Sequence, residues 1–161
     1  PATLRRQRQM CIRDRVMIGG GAKRILGIAG EHADIVSINF NNSAGKIGPE
    51  GVGSGTSAGT LQKLEWIKAG AGDRFSEIEI EIAAYFTVIT DHSDVVANEF
   101  AKLFNLSSSE ILDHPHCLIG QTSEVIEKIQ QRREEFGINY ITFGGAAIDD
   151  VAPIVEALSG T

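Results

Sequence analysis

Three consecutive glycines, Gly19, Gly20 and Gly21, stand between an apolar run, Val16-Met17-Ile18, and a helical pattern that opens with Lys23 and Arg24. Glycine permits close backbone approach, and the first-turn amides of a helix are unpaired donors that attract an anion. Two basic residues in that first turn oppose the helix dipole unless an anion offsets them. The chemistry open to these types at this spacing is phosphate binding by the glycine run and the first helical turn with Lys23 and Arg24; a tight strand-to-helix turn is the plain alternative. A dinucleotide fingerprint is not met, because the third glycine is misplaced and Asn39 stands where a ribose-binding acid would fall. A Walker A loop fails as well, since no Gly-Lys-Ser/Thr closes it.

Other reactive types are scattered. Asp113-His114-Pro115-His116-Cys117 has metal-ligand residue types. Its proline breaks the helical spacing that would converge them, and no distant cluster completes a set, so a solvated turn without metal is the expectation. Cys117 has no base near it in sequence and reads as a buried structural thiol. His32 reads as a surface residue, and His92, beside Asp91, as exposed in a capping turn. Tyr85, Phe86 and Phe143 lie near strand ends, where core packing is the expectation ahead of contact with a planar ring. No residue present identifies itself as catalytic.

These groups need elements to hold them. Strands are predicted at 16–18, 34–40, 77–89 and 138–143, and helices at 22–32, 61–71, 93–104, 107–113, 123–136 and 149–158. Asp91 or Ser93 is available to cap the third helix and Thr122 or Ser123 the fifth, which Gly137 should close. Glu77 and Glu79 are expected at a solvated strand entrance. The Gly/Ser-rich stretch 41–60 is predicted as a long connection, a candidate lid or insertion. Strands alternating with helices build parallel βα units, and four of them make half of an eight-stranded barrel whose whole runs to about 250 residues. Function in such a barrel gathers where strands end, which adds Asn39, Asn41, Asn42, Gly144 and Gly145 as candidates. Amide side chains can donate to ligand carbonyls or hydroxyls, with simple turn chemistry as the alternative.

The 161 residues carry a net charge of −6, but unevenly: residues 5–15 hold five arginines and one aspartate, +4, which leaves −10 elsewhere. A basic arm or a targeting segment fits this tract poorly, because it has no apolar stretch of signal length and no amphipathic face. It matches, at every position, the translated end of a transposase-type sequencing adapter. Residues 1–15 are therefore expected to lie outside the fold, and 16–161 to form the half-barrel. The acidic remainder argues against nucleic acid or an anionic membrane as partner, while a small anionic ligand stays open to local amide clusters. Apart from Cys11, Cys117 is the only cysteine, so no intrachain disulfide is expected and a cytoplasmic setting is the default. No apolar run approaches the ~18 residues of a membrane span.

The stretches "VMIGGGAKRILGIAGEHADIVSINF", "KLEWIKAGAGDRF", "HCLIGQTSEVIEKIQQRREEFGINYITF" and "APIVEALSGT" together resemble the second half of luciferase-like monooxygenases, nearest the branch of coenzyme F420-dependent oxidoreductases. The resemblance implies a TIM barrel, of which strands five to eight are present, binding a deazaflavin or flavin across its C-terminal face. It places the family's phosphate loop on Gly19, Gly20, Gly21, Ala22 and Lys23, and the groups that handle substrate on strands one to four. It also implies coenzyme F420, with FMN as the alternative cofactor, a small organic substrate and a homo-oligomer. A flavin-binding or merely self-associating half-barrel is the non-enzymatic alternative.

Overall fold

The computed structural model describes residues 14–42, 45 and 47–160. Four strands form one parallel sheet: β1 (Met17–Gly20), β2 (Ile35–Ile38), β3 (Glu79–Ala84) and β6 (Ile138–Phe143), in the order β1-β2-β3-β6. These are the four predicted strands, in sequence order. A parallel neighbour needs a crossover, and helices supply each one. Helix α1 (Lys23–His32) links β1 to β2, and α2 (Pro49–Gly53) and α3 (Ser57–Ala71) lie between β2 and β3. The long return to β6 carries β4 (Phe86–Ile89), α4 (Ser93–Phe104), α5 (Ser108–Asp113), β5 (Cys117–Gly120) and α6 (Thr122–Phe136); α7 (Ile148–Leu158) follows β6. The result is an α/β half-barrel.

Period-two alternation sorts the sheet into two faces. Val36 and Ile38 of β2, with Ile80 and Ile82 of β3, pack on Leu26 and Ala29 of α1 and Leu64 and Ile67 of α3, the main core. Ser37 and Glu81 occupy the alternate, inner face. The register places Gly19, Ser37, Glu81 and Tyr140 side by side across all four strands. Between Ile80 and Glu81 the pairing with β6 slips by one residue, leaving Asn139 extra, and its side-chain Oδ1 accepts the Ile80 amide at 3.1 Å. Among the described residues, the outer edges of β1 and β6 carry no paired strand.

Several expectations need correction. The connection 41–60 is partly helical: α2 occupies its middle, and α3 starts at Ser57, where Thr56 caps it by accepting the Gly59 amide. The predicted strand 77–89 is broken at Tyr85, and its second part, β4, pairs with β5 in a separate two-stranded parallel sheet. No strand was expected at 117–120, because four apolar residues flanked by polar ones carry no period. Helix α4 starts after His92, and α6 is capped by Gln121 and Glu124 in a reciprocal capping box, instead of by the residues proposed above. Gly137 closes α6 in the left-handed conformation as expected, at φ 68°. Glu77 and Glu79 do sit at the strand entrance, and Arg15, assigned to the extraneous tract, reaches Glu79 at 2.8 Å. Residues 1–13 lie outside the described residues. No helix among the described residues is long and apolar enough to cross a membrane.

Candidate active site at the strand ends

The three glycines have three different tasks. Gly19 faces the inner side, where a Cβ would stand 3.0 Å from the Asn39 amide nitrogen. A Cβ on Gly20 would overlap Ile25 of α1, and one on Gly21 would overlap the carbonyl of Phe40, so both glycines let backbone and helix pass closely. Gly21→Val would therefore disrupt the fold. A selective loss of anion binding is not expected from that substitution. Ala22 caps α1 with no side-chain bond to its amides, the first turn holds no acid, and Ala22, Lys23 and Arg24 are exposed. Open donors, a positive dipole end and a cation thus coincide at the C-terminal end of β1, an arrangement that favours negative charge.

Asn39 is committed within the protein. Its Nδ2 donates to the Ser37 hydroxyl at 3.1 Å, its Oδ1 accepts from the Tyr85 hydroxyl at 2.5 Å, and its carbonyl accepts from Lys63 Nζ at 2.7 Å. It braces the ends of β2 and β3, and a ligand would meet it as a wall beside Gly19. Gly144 joins this rim by donating its amide to the Ala84 carbonyl at 2.9 Å, and Gly145 follows at φ 77°. Asn41 and Asn42 are exposed; the Asn41 amide donates to the Ser54 hydroxyl at 2.8 Å. The structure thus gathers Gly19, Asn39, Tyr85 and Gly144 at one end of the sheet. Asn41 and Asn42 turn into the following loop.

Sequence reasoning missed two charged residues. Glu81 is 3% exposed, and its Oε2 has no hydrogen-bond partner. It lies on the inner face beside Ser37, and its charge, after burial, raises the pKa of Tyr85. Lys63 is fully enclosed under the Asn39 carbonyl, and burial lowers its pKa to about 8. Its recurrence with Thr60, Leu64 and Ile67 on one helix face was the available signal.

Asp113 is exposed, but residues 114–117 are buried, which overturns the reading of this turn as a solvated one. His114 Nε2 donates to the Val52 carbonyl at 2.9 Å and its Nδ1 accepts the His116 amide at 3.2 Å; His116 Nδ1 donates to the Ala83 carbonyl at 2.8 Å. The two His114 bonds fix that ring as the neutral Nε2–H tautomer, whereas the Nε2 of His116 is buried without a partner; burial pulls the pKa of His114 down to about 4 and that of His116 to about 3. Arg132 pins the turn by donating to the carbonyls of His114, Pro115 and Cys117 at 2.9, 3.0 and 2.7 Å. Cys117 is buried as expected, and burial pushes its thiol up to about 12. His32 and His92 are exposed, while Tyr85 and Phe86 pack around Phe40. Among the described residues no group of three or more His, Cys, Asp and Glu converges on a metal position.

No protein-family model matches the chain, and no curated protein does. Solved structures do. A coenzyme F420-dependent tetrahydromethanopterin reductase from Methanopyrus kandleri aligns with a TM-score of 0.58 at 16% identity, over 89% of this chain and 49% of its own. An F420-dependent secondary alcohol dehydrogenase, solved with an F420-acetone adduct, gives 0.56 at 18% identity, over 91% and 50%. A riboflavin lyase, solved with modified FMN and riboflavin, gives 0.52 at 13%, over 88% and 42%. At these identities the likeness establishes the fold, and the chain spans half or less of the length of these proteins.

Proposed function

We propose that this chain forms the phosphate-holding half of a luciferase-like oxidoreductase barrel that uses coenzyme F420 and acts on a small organic substrate. One observation carries the reading: the β1–α1 junction presents uncapped amides and Lys23 at the same end of the sheet as Gly19, Asn39, Tyr85 and Gly144. The residues fit a phosphorylated, flat-ringed cofactor. Ala22 and Lys23 would hold its phosphate, with Gly19 and Asn39 beside them at the strand ends. When bound, a deazaflavin supplies hydride chemistry at its ring, while the protein supplies binding and orientation. The remaining strands of the barrel would bring the groups that touch the substrate. The F420-dependent reductase and dehydrogenase among the similar structures support the deazaflavin reading. The riboflavin lyase solved with modified FMN supports the alternative, an FMN-dependent monooxygenase.

Titration of the chain with FMN, riboflavin and coenzyme F420, followed by fluorescence, tests the reading. FMN should bind at least tenfold more tightly than riboflavin, which lacks the phosphate, and Lys23→Glu should erase that difference while circular dichroism stays unchanged. Tighter binding of coenzyme F420 than of FMN supports the deazaflavin branch. Equal affinity for FMN and riboflavin would overturn the phosphate assignment.

A further inference from the structure

We propose that Glu81 lowers the reduction potential of a ring bound at this site, because its buried carboxylate opposes the negative charge that the ring gains on reduction. The inference rests on the flavin-type cofactor proposed above and adds to it a residue that tunes the chemistry. Reduction of a flavin or deazaflavin delivers a hydride, two electrons with one proton, so the ring gains one negative charge. A fixed anion nearby disfavours that state, and charge near the ring is one of the means by which a protein tunes such a cofactor. A lower potential makes the reduced ring the stronger hydride donor, which suits transfer to an organic acceptor.

The strand register places Glu81 for this role. It lies on the inner face of β3, beside Ser37 of β2. Its side chain is buried, its Oε2 has no hydrogen-bond partner, and it takes part in no ion pair among the described residues. A buried carboxylate without a partner costs stability, so its presence in the fold calls for a reason other than packing. Hydrogen bonds connect its surroundings to the rim of the sheet: Ser37 Oγ accepts from Asn39 Nδ2 at 3.1 Å, and Asn39 Oδ1 accepts from the Tyr85 hydroxyl at 2.5 Å. Ala83, the next residue on the same face of β3, contributes only a methyl group and is partly exposed. The field of Glu81 reaches the rim. After burial, its charge is what holds the Tyr85 pKa above the ordinary value, so a group at the rim is already resisted when it becomes an anion. Lys63 carries the opposite charge, but its Nζ reaches from α3 to the Asn39 carbonyl, and the charge that acts on the Tyr85 hydroxyl is that of Glu81. Charges about 10 Å apart in a medium of effective dielectric about 20 interact strongly enough to shift an equilibrium about tenfold.

Anaerobic titration with dithionite against a reference dye, on the 161-residue chain saturated with FMN, measures the potential. Glu81→Gln should raise it by about 30 mV, which for a two-electron couple is a tenfold gain in affinity for the reduced over the oxidised ring. Riboflavin should show the same shift, because the effect acts on the ring and not on the phosphate. Without ligand, Glu81→Gln should also raise the thermal midpoint, since a neutral amide is easier to bury than an unpaired charge. Equal affinity for FMN and riboflavin with the shift in potential intact would remove the phosphate assignment and support the role of Glu81. An unchanged or lowered potential in a variant that binds flavin, a shift seen with FMN alone, or a lower thermal midpoint would overturn the role of Glu81 and leave the phosphate assignment standing. No binding of either flavin would overturn both. If Glu81→Gln fails to fold, Glu81→Met, of similar length and without charge, decides by the same change in potential.

Discussion

Arg132 shows how a charge can be buried without an anion. Its guanidinium fork matches three carbonyls of one turn, and burial lowers its pKa only to about 10, so it stays protonated. Arg132→Met should destabilise the chain by about 3–5 kcal/mol in urea unfolding, because the carbonyls lose their donors in a dry site. Arg132→Lys should recover part of this loss, since a point cation cannot serve all three. The two histidines it encloses set the acid limit. Their folded pKa values, about 4 and about 3, lie below the unfolded value near 6.5, so the unfolded chain takes up protons first as pH falls. Stability is then lost progressively below about pH 6.5, down through pH 4 and 3, on the order of 3 kcal/mol per ring. An acid titration followed by circular dichroism checks this, and His116→Phe should move its midpoint to lower pH. Neither effect was legible in sequence: Asp-His-Pro-His-Cys has the composition of an exposed turn, and only tertiary packing under Val52 and Phe40 buries it.

Helices α1 and α3 meet through glycine, and each position differs. A Cβ on Gly30 would overlap the Ile67 carbonyl and one on Gly70 the Gly27 carbonyl, whereas one on Gly27 would touch nothing within 4 Å. Gly27→Ala should therefore stabilise by about 0.5–1 kcal/mol through helix propensity. Gly30→Ala should destabilise by roughly 1–3 kcal/mol despite the same gain, because the helices must separate. Thermal melts of the pair give opposite shifts if the packing is as described. Most element bounds were readable because α1, α4 and α6 follow an amphipathic period, but β6 was readable only in extent. Its alternation sets Ile138 with Tyr140 and Thr142 on one face. Yet Ile138 packs beside Ile80 in the main core, and Ile141 packs against that core too. The residue inserted at Asn139 reverses the phase, and nothing local in the sequence announces it.

At the scale of the whole molecule, the parallel order β1-β2-β3-β6 was legible because every strand is followed by helix and such connections have one hand. The candidate site was half legible. The glycine run and Asn39 were found from residue type, but which glycine is structural, and that Asn39 is fully engaged, depends on neighbours from β2, β3 and α3. Hydrogen exchange should separate the strands: amides of β2 and β3, paired on both sides, should exchange far more slowly than those on the outer edges of β1 and β6.

The sealed thiol of Cys117 makes this chain its own stopwatch. The residue is 1% exposed and stays protonated to about pH 12, so an alkylating reagent cannot react while β5 remains packed. In a Cys11→Ser background, each modification event records one opening of the small β4–β5 sheet and its Arg132 clasp. The labelling half-life at excess reagent should track the waiting time between openings, and Arg132→Lys should shorten it.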